Sequence, residues 1–292
     1  MTVLHAALHA LEETLVLLPF LYLTYLLMEW IEHRAGERVE GLIRRAGRIG
    51  PLVGGTLGVL PQCGFSAAAA GLYAGRVVTV GTLVAAFLST SDEMLPILLS
   101  GGLPVPSVLA LIGIKAAVAV LVGFAVDFVL RRRRGEPIHA HEGVDELCRD
   151  EGCDCHGKSP FLSALIHTAK IGLFVLIATF LLGLVIELVG EDNIGLFVRD
   201  LPVVGVLLST LVGVIPNCAA SVILSRLYLS GAISLGALLS GLLVGAGAGW
   251  LVLFRTGRNL KKNLLILLFL YILSVGVGLV ADAISLSTLI GL

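Results

Sequence analysis

Residues 58–83 read GVLPQCGFSAAAAGLYAGRVVTVGTL, and residues 213–238 read GVIPNCAASVILSRLYLSGAISLGAL. The two stretches align without a gap, and nine positions are identical. Each contains a proline, one polar residue and a cysteine in succession, as Pro61-Gln62-Cys63 and as Pro216-Asn217-Cys218. Nine identities in one ungapped window exceed what a shared apolar composition would give. The chain is therefore predicted to contain an internal duplication, which occurs in channels and scaffolds as well as in transporters.

The duplication extends over both halves of the chain. The two motifs are 155 residues apart, and a glycine and an aspartate recur farther on at the same offset. A histidine and a glutamate recur near the start of each half at an offset that is three residues longer. The matched pairs are Gly123 with Gly278, Asp127 with Asp282, His9 with His167, and Glu29 with Glu187. We therefore divide the chain into a first transmembrane repeat (1–130), a cytoplasmic connector (131–160) and a second transmembrane repeat (161–292).

The composition is that of a membrane protein. Hydrophobic residues make up 57% of the chain and charged residues 14%, and the mean hydropathy is +0.99, far above that of an ordinary soluble domain. The basic residues lie in short clusters and the formal charge is −1, so no nucleic-acid partner is expected. Loops rich in Lys and Arg usually stay on the cytoplasmic side of a membrane. We therefore assign the three basic loops of this chain to the cytoplasm: 34–48, 131–134 and 255–262.

These loop positions limit the number of membrane crossings. The stretch 51–130 joins two cytoplasmic loops and must cross an even number of times, although it is long enough for three spans of about 20 residues. Its first part, 51–74, is interrupted at Pro61, which leaves arms of about 12 residues, or about 18 Å each. We predict a re-entrant hairpin there and a second one at 203–229. Each repeat then crosses three times, which predicts an all-α membrane protein with two inverted-topology repeats and ten helical segments.

The tips of the predicted hairpins carry side chains that can hold a small solute. Proline suits the first position of a helix, so the cysteine would lie in the first turn, where free N–H groups and the helix dipole favour a thiolate. A serine three residues later shares that face. The substrate-binding candidates are Gln62, Cys63, Ser66, Asn217, Cys218 and Ser221, with both cysteines as metal ligands. The alternative is that these small residues only serve helix packing.

An acidic motif interrupts the next apolar run. It reads Ser-Thr-Ser-Asp-Glu over residues 89–93, and acids at such depth usually mark functional sites. We predict that Asp92 and Glu93 bind metal and, with Lys115, couple transport to protons, while Ser89 and Ser91 join the substrate-binding set. The equivalent stretch 244–249 is uncharged and rich in glycine, so both segments are expected to break but only one supplies acid. A static ion pair is the alternative.

Charged residues near the predicted span ends receive a simpler interpretation. Side chains at such positions reach out to the interface, which keeps their charges in water. This expectation covers Arg76, Asp127, Lys170 and Glu187.

The connector concentrates thiols and imidazoles. Between residues 139 and 156 it contains His139, His141, Cys148, Cys153, Cys155 and His156. These ligands suit zinc, copper(I) and other thiophilic ions, although their spacing matches no structural zinc finger. We predict a labile site for metal capture or sensing, and the alternative is an incidental polar linker.

The chain resembles the ten-transmembrane heavy-metal exporters, a family grouped with the arsenical permeases and labelled arsenic efflux or manganese transport proteins. The motifs that carry the resemblance are PQCGFSA (61–67), FLSTSDEMLPILL (87–99) and IPNCAASVILSRLY (215–228), together with the His/Cys connector. They cover almost the whole chain. The resemblance implies export of a heavy metal or metalloid ion.

The expected function is thus secondary, proton-coupled export of a thiophilic metal or metalloid across the cytoplasmic membrane. The chain has no GxxxxGK[ST] motif for ATP, and neither catalytic residues nor a cofactor are expected beyond a transported or connector-bound metal ion. The expected partners are the substrate ion, protons and the bilayer, and a homodimer stays open. Three alternatives also stay open: a manganese or other divalent-cation exporter, an organic-anion or oxyanion carrier, and a metal-sensing membrane protein.

Overall fold

A computed structural model gives the fold of the chain. It describes residues 49–59, 63–90, 94–134, 160–189, 202–217, 219–257 and 259–284, with parts of 7–26. The regular structure within these residues is helical throughout, including 49–57. The bounded helices are α1 (Cys63–Ala74), α2 (Val80–Ser89), α3 (Met94–Ser100), α4 (Val105–Arg134), α5 (Pro160–Val189), α6 (Pro202–Gly213), α7 (Ala219–Leu229), α8 (Leu235–Val244), α9 (Ala248–Thr256) and α10 (Leu260–Ala283).

The long apolar runs form helices because backbone N–H and C=O groups inside a bilayer must find hydrogen-bond partners within the chain. Among the described residues, five helical segments are long and apolar enough to cross a membrane. They are Val80–Ser100, Val105–Leu130, Ala164–Leu181, Leu235–Thr256 and Leu260–Ala283. The prediction of an all-α, multi-pass membrane protein is confirmed.

Two of these segments are broken rather than continuous helices. The first divides into α2, which ends at Ser89, and α3, which begins at Met94; the second divides into α8, which ends at Val244, and α9, which begins at Ala248. In the second break Gly247 has φ +48°, a conformation that residues with a side chain rarely adopt. The prediction that both segments break is confirmed. Each broken segment therefore consists of two helices. The predicted count of ten helical segments takes each of them as a single helix.

The broken segments form the centre of the molecule. Val80–Ser100 is 73% buried and Leu235–Thr256 is 78% buried, whereas the other three spans are only 28–38% buried. Large apolar side chains such as Leu121 and Phe128 on α4 and Leu265 on α10 are exposed. An apolar outer surface suits lipid, so α4, α5 and α10 enclose the two broken segments.

Positions 155 residues apart make the same helix contacts. α2 packs on α4, and α8 packs on α10. A Cβ atom on Gly81 would overlap the backbone oxygen of Gly123, and one on Gly236 would overlap that of Gly278. Glycine is therefore required at both places, because the two helices touch there through their backbones.

The two halves of the chain share one core. α9 packs on α1, α7 packs on α3, and α8 contacts α2. The rings of Phe87 on α2 and Trp250 on α9 meet edge to face, with centroids 4.9 Å apart at 74°, and the indole N–H of Trp250 donates to the backbone oxygen of Val244 at 3.0 Å. The second half of each broken segment thus lies against a helix of the other repeat.

Candidate functional site

The C-terminal ends of α2 and α8 approach one another at the centre of the fold. Thr90 is the C-cap of α2, and Leu242 lies in the last turn of α8. The last four carbonyl groups of a helix have no partner within that helix, and the helix dipole adds partial negative charge at the same end. The convergence of two such ends creates a place that attracts a positive charge.

Lys115 places its ammonium group between these two ends. Its Nζ donates to the backbone oxygen of Thr90 at 2.5 Å and to that of Leu242 at 3.0 Å. The side chain is 0% exposed, although it belongs to α4 at the periphery. Lys115 therefore links both repeats, since Leu242 is 127 residues away in the chain.

A small cavity lies beside these carbonyl groups and has room for about one water-sized molecule. Its lining comes from both halves of the chain. The lining residues are Thr90, Gly213, Ile215, Asn217, Ala220, Ser221, Gly241, Leu242, Gly245 and Gly247. The four glycines come from the end of α6, from α8 and from the break after α8, so backbone atoms form much of the wall.

Two of the predicted substrate-binding residues, Asn217 and Ser221, line this cavity. Asn217 is 6% exposed, and its side-chain oxygen accepts a hydrogen bond from the backbone N–H of Ala219 at 2.8 Å. That bond satisfies a free N–H group at the start of α7. Asn217 thus fixes the turn between α6 and α7 as well as lining the cavity.

The equivalent serine of the first repeat has a different environment. Ser66 is 0% exposed and packs against α9, where a Cβ atom on Gly249 would lie 2.8 Å from the Cβ atom of Ser66. The structure therefore does not bring Ser66 and Ser221 to the same cavity. The serines of the two Pro-polar-Cys motifs occupy matching sequence positions and differ in what they face.

Ser89 lies on the side of α2 that faces residues 49–59. Its hydroxyl donates to the backbone oxygen of Ala86 at 3.1 Å and to that of Gly54 at 3.4 Å. It does not line the cavity, whereas its neighbour Thr90 does. The signal for Thr90 was present in the sequence, because it stands inside the polar motif 89–93.

Several predicted site residues lie outside the described residues. Cys63 is the first residue of α1, and its side chain is not described. Asp92 and Glu93, the acidic residues predicted to act with Lys115, also lie outside the described residues. Within the described ranges, no group of three His, Cys, Asp or Glu side chains could hold a metal ion. The other undescribed candidates are Gln62, Ser91, Asp92, Glu93, His139, His141, Cys148, Cys153, Cys155, His156 and Cys218.

The expectation that Asp127 reaches out to the interface is wrong. Its side chain is 6% exposed and lies at the start of α2. The carboxylate accepts from the hydroxyl of Thr79 at 2.7 Å and from the backbone N–H of Gly81 at 2.9 Å. Free N–H groups at a helix start attract a carboxylate, and that attraction holds Asp127 inside the protein.

Asp282 repeats this arrangement at the start of α8. It accepts from the hydroxyl of Ser234 at 2.6 Å and from the backbone N–H of Gly236 at 2.8 Å. All three residues lie 155 positions after their counterparts in the first repeat. The sequence signal for both caps was the match of the two aspartates at that offset.

Comparison of the chain with protein-family models, curated proteins and solved structures gives no match. The geometry of the described residues and the chemistry of the sequence are therefore the basis for a function.

Proposed function

We propose that the protein is a secondary-active exporter of a heavy-metal or metalloid ion in the cytoplasmic membrane. The observation that carries the proposal is the meeting of two broken segments, one from each half of the chain, at a small central cavity lined by residues of both halves. Substrate sites of secondary transporters typically lie between two repeats and are formed by discontinuous helices. A rigid scaffold has no need of such breaks, since each one leaves buried backbone groups without helical partners.

The proposed architecture is a pair of inverted repeats, each with a re-entrant hairpin. The matched caps at Asp127 and Asp282 support the duplication. The lengths of α6 and α7, 12 and 11 residues, support a hairpin, because each arm spans about 18 Å of a hydrocarbon core about 30 Å thick. Three crossings in each repeat would insert the second repeat upside down.

The proposed substrate is a thiophilic ion because of the two hairpin cysteines. Cys63 is the first residue of α1, the position at which a helix dipole favours the thiolate form that binds soft metals. Cys218 directly precedes α7. In this proposal the cysteines hold the ion, Asp92, Glu93 and Lys115 couple transport to protons, and the connector captures or senses metal. The resemblance to heavy-metal exporters is consistent with these roles.

One observation favours a hard divalent cation such as Mn²⁺ as a second candidate. Among the described residues that line the cavity, those with polar side chains are Thr90, Asn217 and Ser221, and each carries a side-chain oxygen. Oxygen ligands suit Mn²⁺ better than they suit thiophilic ions. In that case the cysteines would serve packing.

Flux into proteoliposomes that contain the purified full chain tests the proposal. Zn²⁺, Cd²⁺, arsenite and Mn²⁺ are supplied in separate experiments, with a proton gradient present or absent. We expect gradient-dependent flux of a thiophilic ion, and we expect the double variant Cys63→Ser/Cys218→Ser to lose it. A Cys153→Ser/Cys155→Ser variant is the comparison, because it removes two thiols from the connector; it should lose less flux than the hairpin variant, since the connector captures the ion but does not hold it during transport.

The other outcomes separate the alternatives. Mn²⁺ flux that survives the Cys63→Ser/Cys218→Ser substitution would favour the second candidate. Metal binding without flux of any tested ion would refute a carrier and favour a sensor.

A further inference from the structure

The electrostatic balance around Lys115 indicates what the central site binds. A helix C-terminus carries about half of a negative elementary charge. The ends of α2 and α8 therefore both carry partial negative charge, and the ammonium group of Lys115 contacts a carbonyl oxygen of each at 2.5 and 3.0 Å. A buried ammonium group is stable only where such partners are supplied. The two carbonyl oxygens thus already bind a cation, which is the ammonium group of Lys115.

Helix packing alone does not require a lysine at this place. The position 155 residues after Lys115 is Leu270, which is also 0% exposed and occupies the corresponding place on α10. An apolar side chain therefore satisfies the same helix contacts in the second repeat. The packing at this position therefore does not require a charged side chain, and Lys115 adds a positive charge to the site.

The two residues whose carbonyl groups bind Lys115 are also lining residues of the cavity. Thr90 and Leu242 both line the cavity, with Asn217 and Ser221 nearby as further sources of oxygen. The cavity has room for about one water-sized body, which is the size of one small ion without its hydration shell. Carbonyl, amide and hydroxyl oxygens are the ligands of hard cations.

We propose that the ammonium group of Lys115 is the resident cation of a binding site formed by the backbone oxygens of Thr90 and Leu242, and that a small hard cation binds these oxygens in competition with it. The inference rests on the second candidate of the proposed function, a hard divalent cation, and adds to it the oxygens that bind the ion and the residue that opposes its binding. An unoccupied site is closed by Lys115, which ties the two repeats together. An occupied site requires the ammonium group to leave, which frees the repeats to move relative to one another.

Titration of the purified full chain with Mn²⁺ tests this competition, with free Mn²⁺ measured by electron paramagnetic resonance. In Lys115→Met the competing charge is absent while the side chain keeps a similar length. We expect this variant to bind Mn²⁺ at least about tenfold more tightly than the wild type, a change of about 1.4 kcal/mol. Lys115→Arg keeps the charge and should bind as weakly as the wild type. Leu270→Met is the matched control for a substitution at the equivalent place, and it should leave the affinity unchanged.

A second neutral variant protects the experiment against misfolding. Lys115→Gln retains an N–H donor for the carbonyl groups and should show the same tighter binding. Unchanged, weaker or absent Mn²⁺ binding in folded neutral variants would overturn the inference, because a purely structural lysine could be neutralised without opening a cation site. That result is distinguishable from failure of the proposed function, which appears as absence of ion flux in wild-type proteoliposomes.

Discussion

Neutralising the aspartates that cap α2 and α8 should destabilise the protein by similar amounts in the two halves of the chain. The carboxylate of Asp127 accepts hydrogen bonds of 2.7 and 2.9 Å, and that of Asp282 accepts bonds of 2.6 and 2.8 Å. A hydrogen bond to a charged acceptor contributes about 1.5–3 kcal/mol. Alanine removes two such bonds and leaves a backbone N–H at a helix start without an acceptor.

From these bonds we expect Asp127→Ala to lower the free energy of unfolding by about 3 kcal/mol or more. Asn keeps one acceptor oxygen, so Asp127→Asn should cost about half as much. The corresponding substitutions of Asp282 should cost slightly less, because its side chain is half-buried whereas Asp127 is buried. Reversible unfolding by SDS in mixed micelles measures all four values.

Two results would refute this reasoning. A cost below about 0.5 kcal/mol at Asp127 is what a surface substitution gives, and it would restore the interpretation that this side chain reaches the interface. A large cost in one repeat together with none in the other would show that the matching hydrogen bonds do not have matching energetic roles. Phe128→Ala is the control, since that side chain is 66% exposed on the outer face of α4.

Three further predictions follow from packing. Gly249→Ala should cost about 1–3 kcal/mol, because the new methyl group meets α1, while Gly276→Ala, with open space around its Cβ position, should be neutral or stabilising by up to about 1 kcal/mol; equal effects on SDS unfolding would contradict the close contact. Ser225→Ala should cost nothing, since this buried hydroxyl has no hydrogen-bond partner among the described residues, and a loss above about 1 kcal/mol would reveal one. In a Trp30→Phe variant, fluorescence of Trp250, 1% exposed, should resist quenching by aqueous iodide, whereas strong quenching would place the ring at the surface.

The cavity shows where sequence reasoning succeeded and where it stopped. Asn217 and Ser221 were predicted from the repeated motif and do line the cavity. Ser66 came from the same motif and packs instead on Gly249. A local motif fixes the position of a side chain on its helix. The neighbouring helix decides whether that side chain faces a cavity or a packed surface.

The partners of the buried charges depend on the tertiary structure more than the helices do. Lys115 was recognised as an unusual charge inside an apolar segment, and its carbonyl partners were not foreseen because one of them lies 127 residues away. The prediction for Asp127 is wrong because it assumes that a charged side chain near the end of a span reaches water. The start of α2 offers this carboxylate hydrogen-bond donors inside the protein. Hydrogen bonds of this kind depend on which helix ends meet.

The sequence by itself determined that the chain is an all-helical membrane protein with breaks in two of its segments, and that one motif recurs at an offset of 155 residues. These features depend on local chemistry, since apolar length predicts a span, glycine and proline interrupt a helix, and a repeated motif needs no structure to be seen. Only the tertiary structure decided that the two broken segments lie at the centre and that α9 packs on α1. Lipid is as apolar as a protein interior, so hydrophobicity cannot tell the buried face of a membrane helix from its outer face. Close backbone contacts at glycines and hydrogen bonds at helix ends make that choice instead.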